Sequence, residues 1–165
     1  MKHRYYDFLL SEADDKVVEV KREKDHIIVE TQDTIFYPGG GGQPCDTGVI
    51  ENNSFKGRVV DVLKKNKKIL HKVKVEKGVI EKDDKINIIL DKERRLDLVK
   101  SHTGEHILFK SLEKQLDSLE LLKINLGEEE SHLFVKTDNL NWDILFAAEE
   151  LVNKIIKEER KVIEK

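Results

Sequence analysis

His102 and His106 bracket the stretch His-Thr-Gly-Glu-His, inside KSHTGEHILF. Residues four apart share one helix face, one turn above the other. That is how a helix offers two imidazoles to a single metal ion. The same spacing is also met where two histidines merely pack against polar neighbours. The order His-x-x-Glu-His further matches the inverted zinc-protease pattern, in which the glutamate is the general base, although the match is five residues long. Gly104, within this helix, costs about 1 kcal/mol relative to alanine. It either lets something approach the backbone closely or is simply tolerated.

A second stretch, TIFYPGGGGQPCDTG, holds four consecutive glycines at 39–42. Such a run presents backbone N–H groups with no side chains in front of them, a surface for an anion or for a bulky substrate. No Gly-Lys-Ser/Thr follows, so it is not a P-loop. A flexible loop between strands would accept glycines, but four of them cost chain entropy that a plain turn does not require. A functional role therefore ranks first. Gln43 can donate and accept hydrogen bonds at the end of the run. Cys45 reads as a small packed residue rather than a nucleophile, since no base lies near it in sequence. Arg94 and Arg95 can pair with phosphate or, more commonly, anchor a helix start to nearby acids.

These residues must be positioned by a chain of 165 residues, enough for one good domain or two small ones. Charged residues make up 38%, well above the usual quarter. Abundant Lys, Glu and Ile with scarce Gln and Met lean towards a heat-adapted source or a genome of skewed base composition. Net charge is −3, so the molecule is not a polycation, yet residues 56–74 carry eight Lys or Arg against one acid, Asp61. A local basic face of this kind can bind phosphate. A solvated hairpin whose lysines discourage edge-to-edge pairing is slightly favoured. The single cysteine allows no disulfide within the chain and fits a reducing cytoplasm. The N-terminal stretch lacks a signal-peptide core, and no segment approaches the roughly 20 apolar residues of a membrane span.

The first half reads as strands: KVVEVKRE, HIIVETQD, the hairpin FKGRVVDVLKKNKKILHKVKVEKG with KKNKK at its tip, and DKINIILD. Helix signals are absent before Asp91, and short strands at this spacing predict a small barrel or sandwich. The period then changes. Leu96, Val99, Ile107, Leu108, Leu112 and Leu116 fall at helical spacing behind Asp91, a plausible N-cap. LELLKINLG and SHLFVKTD read as strands joined by the acidic turn EEE. A second helix follows Asn141, with Trp142, Leu145, Phe146, Leu151, Ile155, Ile156 and Val162 on or near its buried side. The expected class is α+β, with domains at 1–91 and 92–165. A helix–strand–strand–helix unit gives a two-stranded sheet, small for a stable layer. Something more, in this chain or another, is expected to widen it.

The glycine run and the paired histidines together are more specific than either alone. With FYPGGGGQPCDTG, ILHKVKVEKG, LDKERRLDLVKSHTGEHIL and KINLGEEESHLFV in this order, the chain resembles the alanyl-tRNA editing proteins, free-standing relatives of the alanyl-tRNA synthetase editing domain. The resemblance runs from about residue 34 onward. It implies an N-terminal β-barrel that carries the glycine-rich motif, followed by a two-layer α/β editing domain, here incomplete, that carries zinc. Gly40, Gly41, Gly42 and Gln43 would face the 3′ end of alanine tRNA. His102 and His106 would be two of four zinc ligands. Thr103 would lie in or near the pocket, where its hydroxyl can help recognise a serine side chain. The resemblance assigns Glu105 no role. It implies an ATP-independent, zinc-dependent hydrolase of the cytoplasm that cleaves the ester linking serine or glycine to alanine tRNA. Oligomeric state is left open.

Family members complete the site with a downstream Cys-x-x-x-His. No cysteine follows Cys45 here, and the only histidine after His106 is His132. The favoured explanation is a fragment of a longer protein. A natural short form with altered or absent metal comes next. Substitution by His132 with one of Glu128, Glu129 or Glu130 comes last, because strand histidines usually face solvent. Two of four ligands hold zinc weakly, so this chain is expected to hydrolyse misacylated tRNA poorly or not at all while a longer version would do so. The alternatives are a catalytically inactive tRNA-binding module using the basic hairpin and, third, a zinc protease with Glu105 as base.

Overall fold

A computed structural model of the chain describes residues 4–7 and 9–161. Two compact units are present, Met1–Leu98 and Val99–Lys165.

In the first unit, after a short 3-10 turn at Arg4–Tyr6, six strands form: β1 (Glu12–Arg22), β2 (Ile27–Thr31), β3 (Gly48–Glu51), β4 (Lys56–Lys65), β5 (Lys68–Lys77) and β6 (Lys85–Leu90). They close into an antiparallel barrel in the order β1-β2-β5-β4-β3-β6. Ala13 pairs with Ile88 where β6 returns to β1, so these strands leave no open sheet edge. The strand period is visible in β6, where Ile86, Ile88 and Leu90 turn inward. They join Val17, Val29, Ile50, Val59 and Val73, with Phe36 and Phe55 filling the space between them. The basic hairpin is β4–β5. Asn66 and Lys67, with φ of 49° and 67°, make the tight turn whose two central residues both need positive φ. Lys68 meets Glu30 at 2.7 Å, Lys56 meets Glu51 at 3.3 Å and Arg58 meets Glu76 at 3.5 Å. Part of the basic run is thus matched by acids on the barrel surface, in keeping with the solvated-hairpin reading. Strand β3 was not legible as a strand, because four residues are too few to show alternation.

One imidazole belongs to the barrel core. His71 is fully buried, with Nδ1 2.9 Å from the Val29 carbonyl and Nε2 2.8 Å from the Thr34 hydroxyl. The Thr34 oxygen also accepts the Phe36 N–H at 3.0 Å. A neutral ring that donates from Nδ1 and accepts at Nε2 satisfies every group in this chain. Burial pushes the His71 pKa down to about 4.

Helix α1 (Lys92–Glu113) begins in the first unit and continues into the second. Asp91 caps it: Oδ1 accepts the Arg94 N–H at 3.2 Å, and the carbonyl accepts the Arg95 N–H at 3.0 Å. The second unit adds β7 (Glu120–Asn125) and β8 (His132–Lys136), an antiparallel pair, and α2 (Trp142–Lys157). The Asn141 side chain caps α2 by accepting the Ile144 N–H at 3.0 Å. Leu112, Leu116 and Ala148 form the core, with Leu108, Leu119, Leu133, Ile144 and Leu145 against them. The α+β class and the barrel match the expectation from sequence.

The buried side of α2 differs from that expectation. Leu145, Leu151 and Ile155 are half-buried, but Trp142, Phe146 and Ile156 are 73%, 57% and 54% exposed. Val162 lies outside the described residues. Apolar residues encircle more of α2 than a small core beside a two-stranded sheet can cover. On α1 the deepest positions include Arg95, Glu105 and Ser111 beside Leu98 and Leu112, whereas an apolar stripe was expected. No helix among the described residues is long and apolar enough to cross a membrane.

Candidate functional site

The glycine run of the first unit is a closed turn. Gly40 donates its N–H to the Gln43 carbonyl at 3.0 Å, and Gln43 donates back to the Gly40 carbonyl at 3.1 Å. Between them, Gly41 and Gly42 stand at φ of 62° and 87°, a two-residue tip that demands positive φ at both positions. Four glycines are therefore a conformational requirement here, since Gly39 and Gly40 also have positive φ. Two of the N–H groups expected to face a ligand, those of Gly40 and Gln43, are spent on the turn. The N–H groups of Gly41 and Gly42 lie at the tip, outside that pair.

The neck of the turn is held by Tyr37 and Asp46, to which the sequence assigned no role, together with the arginine pair at the start of α1. Tyr37 donates its N–H to Asp46 Oδ2 at 2.5 Å, and Asp46 donates its own to the Tyr37 carbonyl at 3.0 Å. The Tyr37 hydroxyl donates to the Gly40 carbonyl at 3.2 Å. Asp46 also pairs with Arg95, whose Nε donates to Oδ1 at 2.7 Å and whose Nη2 meets Oδ2. Arg95 donates further to the carbonyls of Ile35 at 2.9 Å and Tyr5 at 3.3 Å. Arg94 donates to the Cys45 carbonyl at 2.6 Å. The anchoring role weighed for these arginines is the one Arg95 performs. The signal was an acid just after the glycines and a basic pair just after a helix cap, but which acid meets which base is set only by the fold. Cys45 is half-buried, and its thiol donates to Asp61 Oδ1 at 3.4 Å. Burial raises its pKa, so it stays a protonated thiol at neutral pH, as a packed residue should.

The second unit carries the paired imidazoles. His102 and His106 stack with ring centroids 5.0 Å apart and 20° between their planes. Burial lowers the His102 pKa, His106 lowers it further, and Glu105 opposes both. The neutral ring is thereby favoured, the form in which imidazole binds metals. Glu105 lies on the same face, and one donor atom from each of His102, Glu105 and His106 lies within 4.8 Å of the others. The Glu105 side chain is only 5% exposed and that of His106 is 66% exposed, with Nδ1 of the histidine 3.6 Å from Oε2. Neither carboxylate oxygen accepts a hydrogen bond among the described residues. His132 is outside this group. It is exposed on β8 and meets Glu130 at 3.2 Å, a surface pair.

A cavity of about 560 Å³ opens beside this face, lined among others by Thr103, His106, Ile107, Lys110, Ser111 and Ile156. Thr103 donates its hydroxyl proton to the Val99 carbonyl at 3.0 Å, which leaves its oxygen as an acceptor towards anything in the cavity. A Cβ added at Gly104 would meet nothing within 4 Å. No close approach among the described residues explains that glycine.

Residues 7–94 match the family described as tRNA synthetases class II (A). The chain is 41% identical over 152 residues to the alanyl-tRNA editing protein AlaX-L of Pyrococcus horikoshii, covering 92% of this chain and 37% of that protein. It is 36% identical over 169 aligned positions to the alanine–tRNA ligase of Thermococcus kodakarensis, covering 96% of this chain and 17% of the ligase. With the alanine–tRNA ligase of Fusobacterium nucleatum the identity is 32% over 156 residues, covering 93% of this chain and 18% of the ligase. The chain thus spans little more than a third of the editing protein and under a fifth of either ligase.

Proposed function

We propose, for a chain that belongs to the family of alanyl-tRNA editing proteins and alanyl-tRNA synthetase-related editing domains, a role in hydrolysing mischarged alanine tRNA in the cytoplasm. The bond cleaved is the ester that joins serine or glycine to the 3′ end. The observation that carries this reading is the pairing of the two motifs, glycine turn and histidine face, in a chain 41% identical over 92% of its length to an alanyl-tRNA editing protein.

An aminoacyl ester is already activated and needs no ATP. The protein must place a water and stabilise the negative charge that develops on the carbonyl oxygen. His102 and His106 are the residues that would hold zinc, and the stacked pair with a carboxylate beside it is a donor set that suits this ion. Bound there, zinc supplies a fixed positive charge and Lewis acidity next to the ester. The tip N–H groups of Gly41 and Gly42 are donors for the terminal adenosine or its phosphate, held ready by the turn and by the Asp46–Arg95 pair at its neck. Thr103 supplies selectivity. With its own proton given to Val99, its oxygen accepts from the hydroxyl of a seryl group. An alanyl group, which has no hydroxyl, gains nothing from it.

The test is release of serine and of alanine from the same alanine tRNA by the zinc-supplemented chain. Binding of the tRNA is measured in parallel at two salt concentrations. The proposal expects serine to be released faster than in buffer and faster than alanine, with Thr103→Val narrowing the difference. Binding that weakens with salt, without any hydrolysis, would replace the enzyme with a tRNA-binding module.

A further inference from the structure

We infer that Tyr6 is a stacking platform for an unpaired nucleobase of the tRNA 3′ end, set beside the glycine turn of the barrel unit. This rests on the reading that the turn receives that end of the tRNA. It deepens the reading by naming the side chain that holds a base.

Tyr6 closes the 3-10 turn at Arg4–Tyr6. It is 50% exposed, while Tyr5 before it is 3% exposed. The two rings pack with centroids 4.7 Å apart and 48° between their planes. Tyr5 in turn meets Tyr37 edge-on, at 5.9 Å and 64°. Burial raises the Tyr5 pKa, and the Tyr6 hydroxyl raises it further by its charge and by a hydrogen bond. Burial also raises the Tyr37 pKa, with Tyr6 the next cause. The three phenols therefore gather in one place. The Tyr37 hydroxyl is the group that donates to the Gly40 carbonyl at 3.2 Å, and the Tyr5 carbonyl accepts from Arg95 at 3.3 Å. The cluster is thus tied to the neck of the glycine turn from two directions.

A lone exposed tyrosine needs no explanation. Tyr6 differs because its ring packs on Tyr5 and its hydroxyl is bonded there, so the half left in water has a set orientation. A half-exposed, held aromatic ring is the group on which single-stranded nucleic acids lay their bases, since every base has a π-face. The backbone N–H groups of Gly41 and Gly42 supply the other half of such a site, donors for phosphate or ribose. A ring beside backbone donors fits an unpaired nucleotide. A base-paired stem hides its base faces, so the single-stranded end is the occupant. Stacking of this kind adds affinity without choosing among bases.

The experiment measures binding of the full chain to uncharged alanine tRNA, intact or with its unpaired 3′ nucleotides removed, over a range of salt. The wild type should prefer the intact tRNA. Tyr6→Ala should weaken binding of the intact tRNA by about 5- to 100-fold and leave binding of the shortened one unchanged. Tyr6→Phe, which keeps the ring, should retain most of the affinity. The salt dependence should be the same in all variants, because stacking releases no counterions. If Tyr6→Ala does not fold, Tyr6→Leu, which covers Tyr5 but has no π-face, must still weaken binding of the intact tRNA alone. Wild-type affinity in the alanine or leucine variant, or an equal loss for both tRNAs, overturns the inference while a wild-type preference for the intact tRNA keeps the end-binding reading. A wild-type chain that binds both tRNAs equally, or neither, overturns both.

Discussion

Arg95→Met breaks the ion pair that ties the start of α1 to the neck of the glycine turn. The Arg95 and Asp46 side chains are 4% and 2% exposed, so the loss strands a carboxylate out of water with, among the described residues, only the Tyr37 N–H to satisfy it. Removing one partner of a buried pair costs about 3–5 kcal/mol. Asp46→Asn keeps an oxygen for the Tyr37 N–H but leaves the guanidinium charge with the Ile35 and Tyr5 carbonyls, and should cost nearly as much. The double variant should cost less than the sum of the singles, by about 1–3 kcal/mol, because neither charge is then left alone. The protein supplies its own probes. All three tyrosines, Tyr5, Tyr6 and Tyr37, lie in the barrel unit, and the single tryptophan, Trp142, lies in the other. Near-ultraviolet circular dichroism from tyrosine in a urea titration therefore follows the barrel, while tryptophan fluorescence follows the second unit. At a slope of about 1.5 kcal/mol per molar urea, the single variants should move the tyrosine midpoint down by about 2–3 M. Singles that each cost under about 1 kcal/mol and add in the double would show that the pair behaves like a surface bridge, and the account of the neck would be wrong.

His71 makes barrel stability depend on pH. Its pKa in the fold is about 4 against 6.5 unfolded, so between these values the unfolded chain binds more protons, and stability falls as pH drops from about 6.5 to 4. The loss reaches about 3 kcal/mol, and His71→Gln should flatten that part of a pH series of denaturant melts. Gly104→Ala has open space for its Cβ and should stabilise α1 by about 1 kcal/mol. A lowered melting temperature would show that something the chain itself does not reveal occupies that space. Gly41→Ala also meets no atom within 4 Å but has to adopt φ of 62°. It should cost about 1–2 kcal/mol and, if the tip N–H groups contact the tRNA end, reduce deacylation by more than the stability loss explains. Unimpaired deacylation would remove the tip from the site.

The long periodic segments were legible because their period is strong. β6 and the β4–β5 hairpin announce themselves by alternation or by turn chemistry, and both helix caps lie where Asp91 and Asn141 stand in sequence. What sequence could not give is pairing across long separations. Asp46 and Arg95 are 49 residues apart, and nothing local in either marks it as the partner of the other. The α2 error has a different source. A helical period shows which residues are apolar, but how many of them are covered depends on the number of neighbouring elements, and Trp142 and Phe146 exceed what this core can bury. Glu105 was visible as a residue of the paired-histidine motif, while its burial without a hydrogen-bond partner among the described residues is a property of the folded unit alone. A functional role was read into the glycine run from its sequence, and its closure through the Gly40–Gln43 bridge engages two of the N–H groups that reading relied on.

The most direct test of the central claim is a single-turnover reaction of seryl-tRNA of alanine identity with the zinc-loaded chain, run beside the His102→Ala/His106→Ala variant. The account predicts slow serine release by the parent chain, above the rate in buffer, abolished by chelation and absent from the variant. Release at the parent rate by the variant, or by the chain after exhaustive chelation, would contradict it.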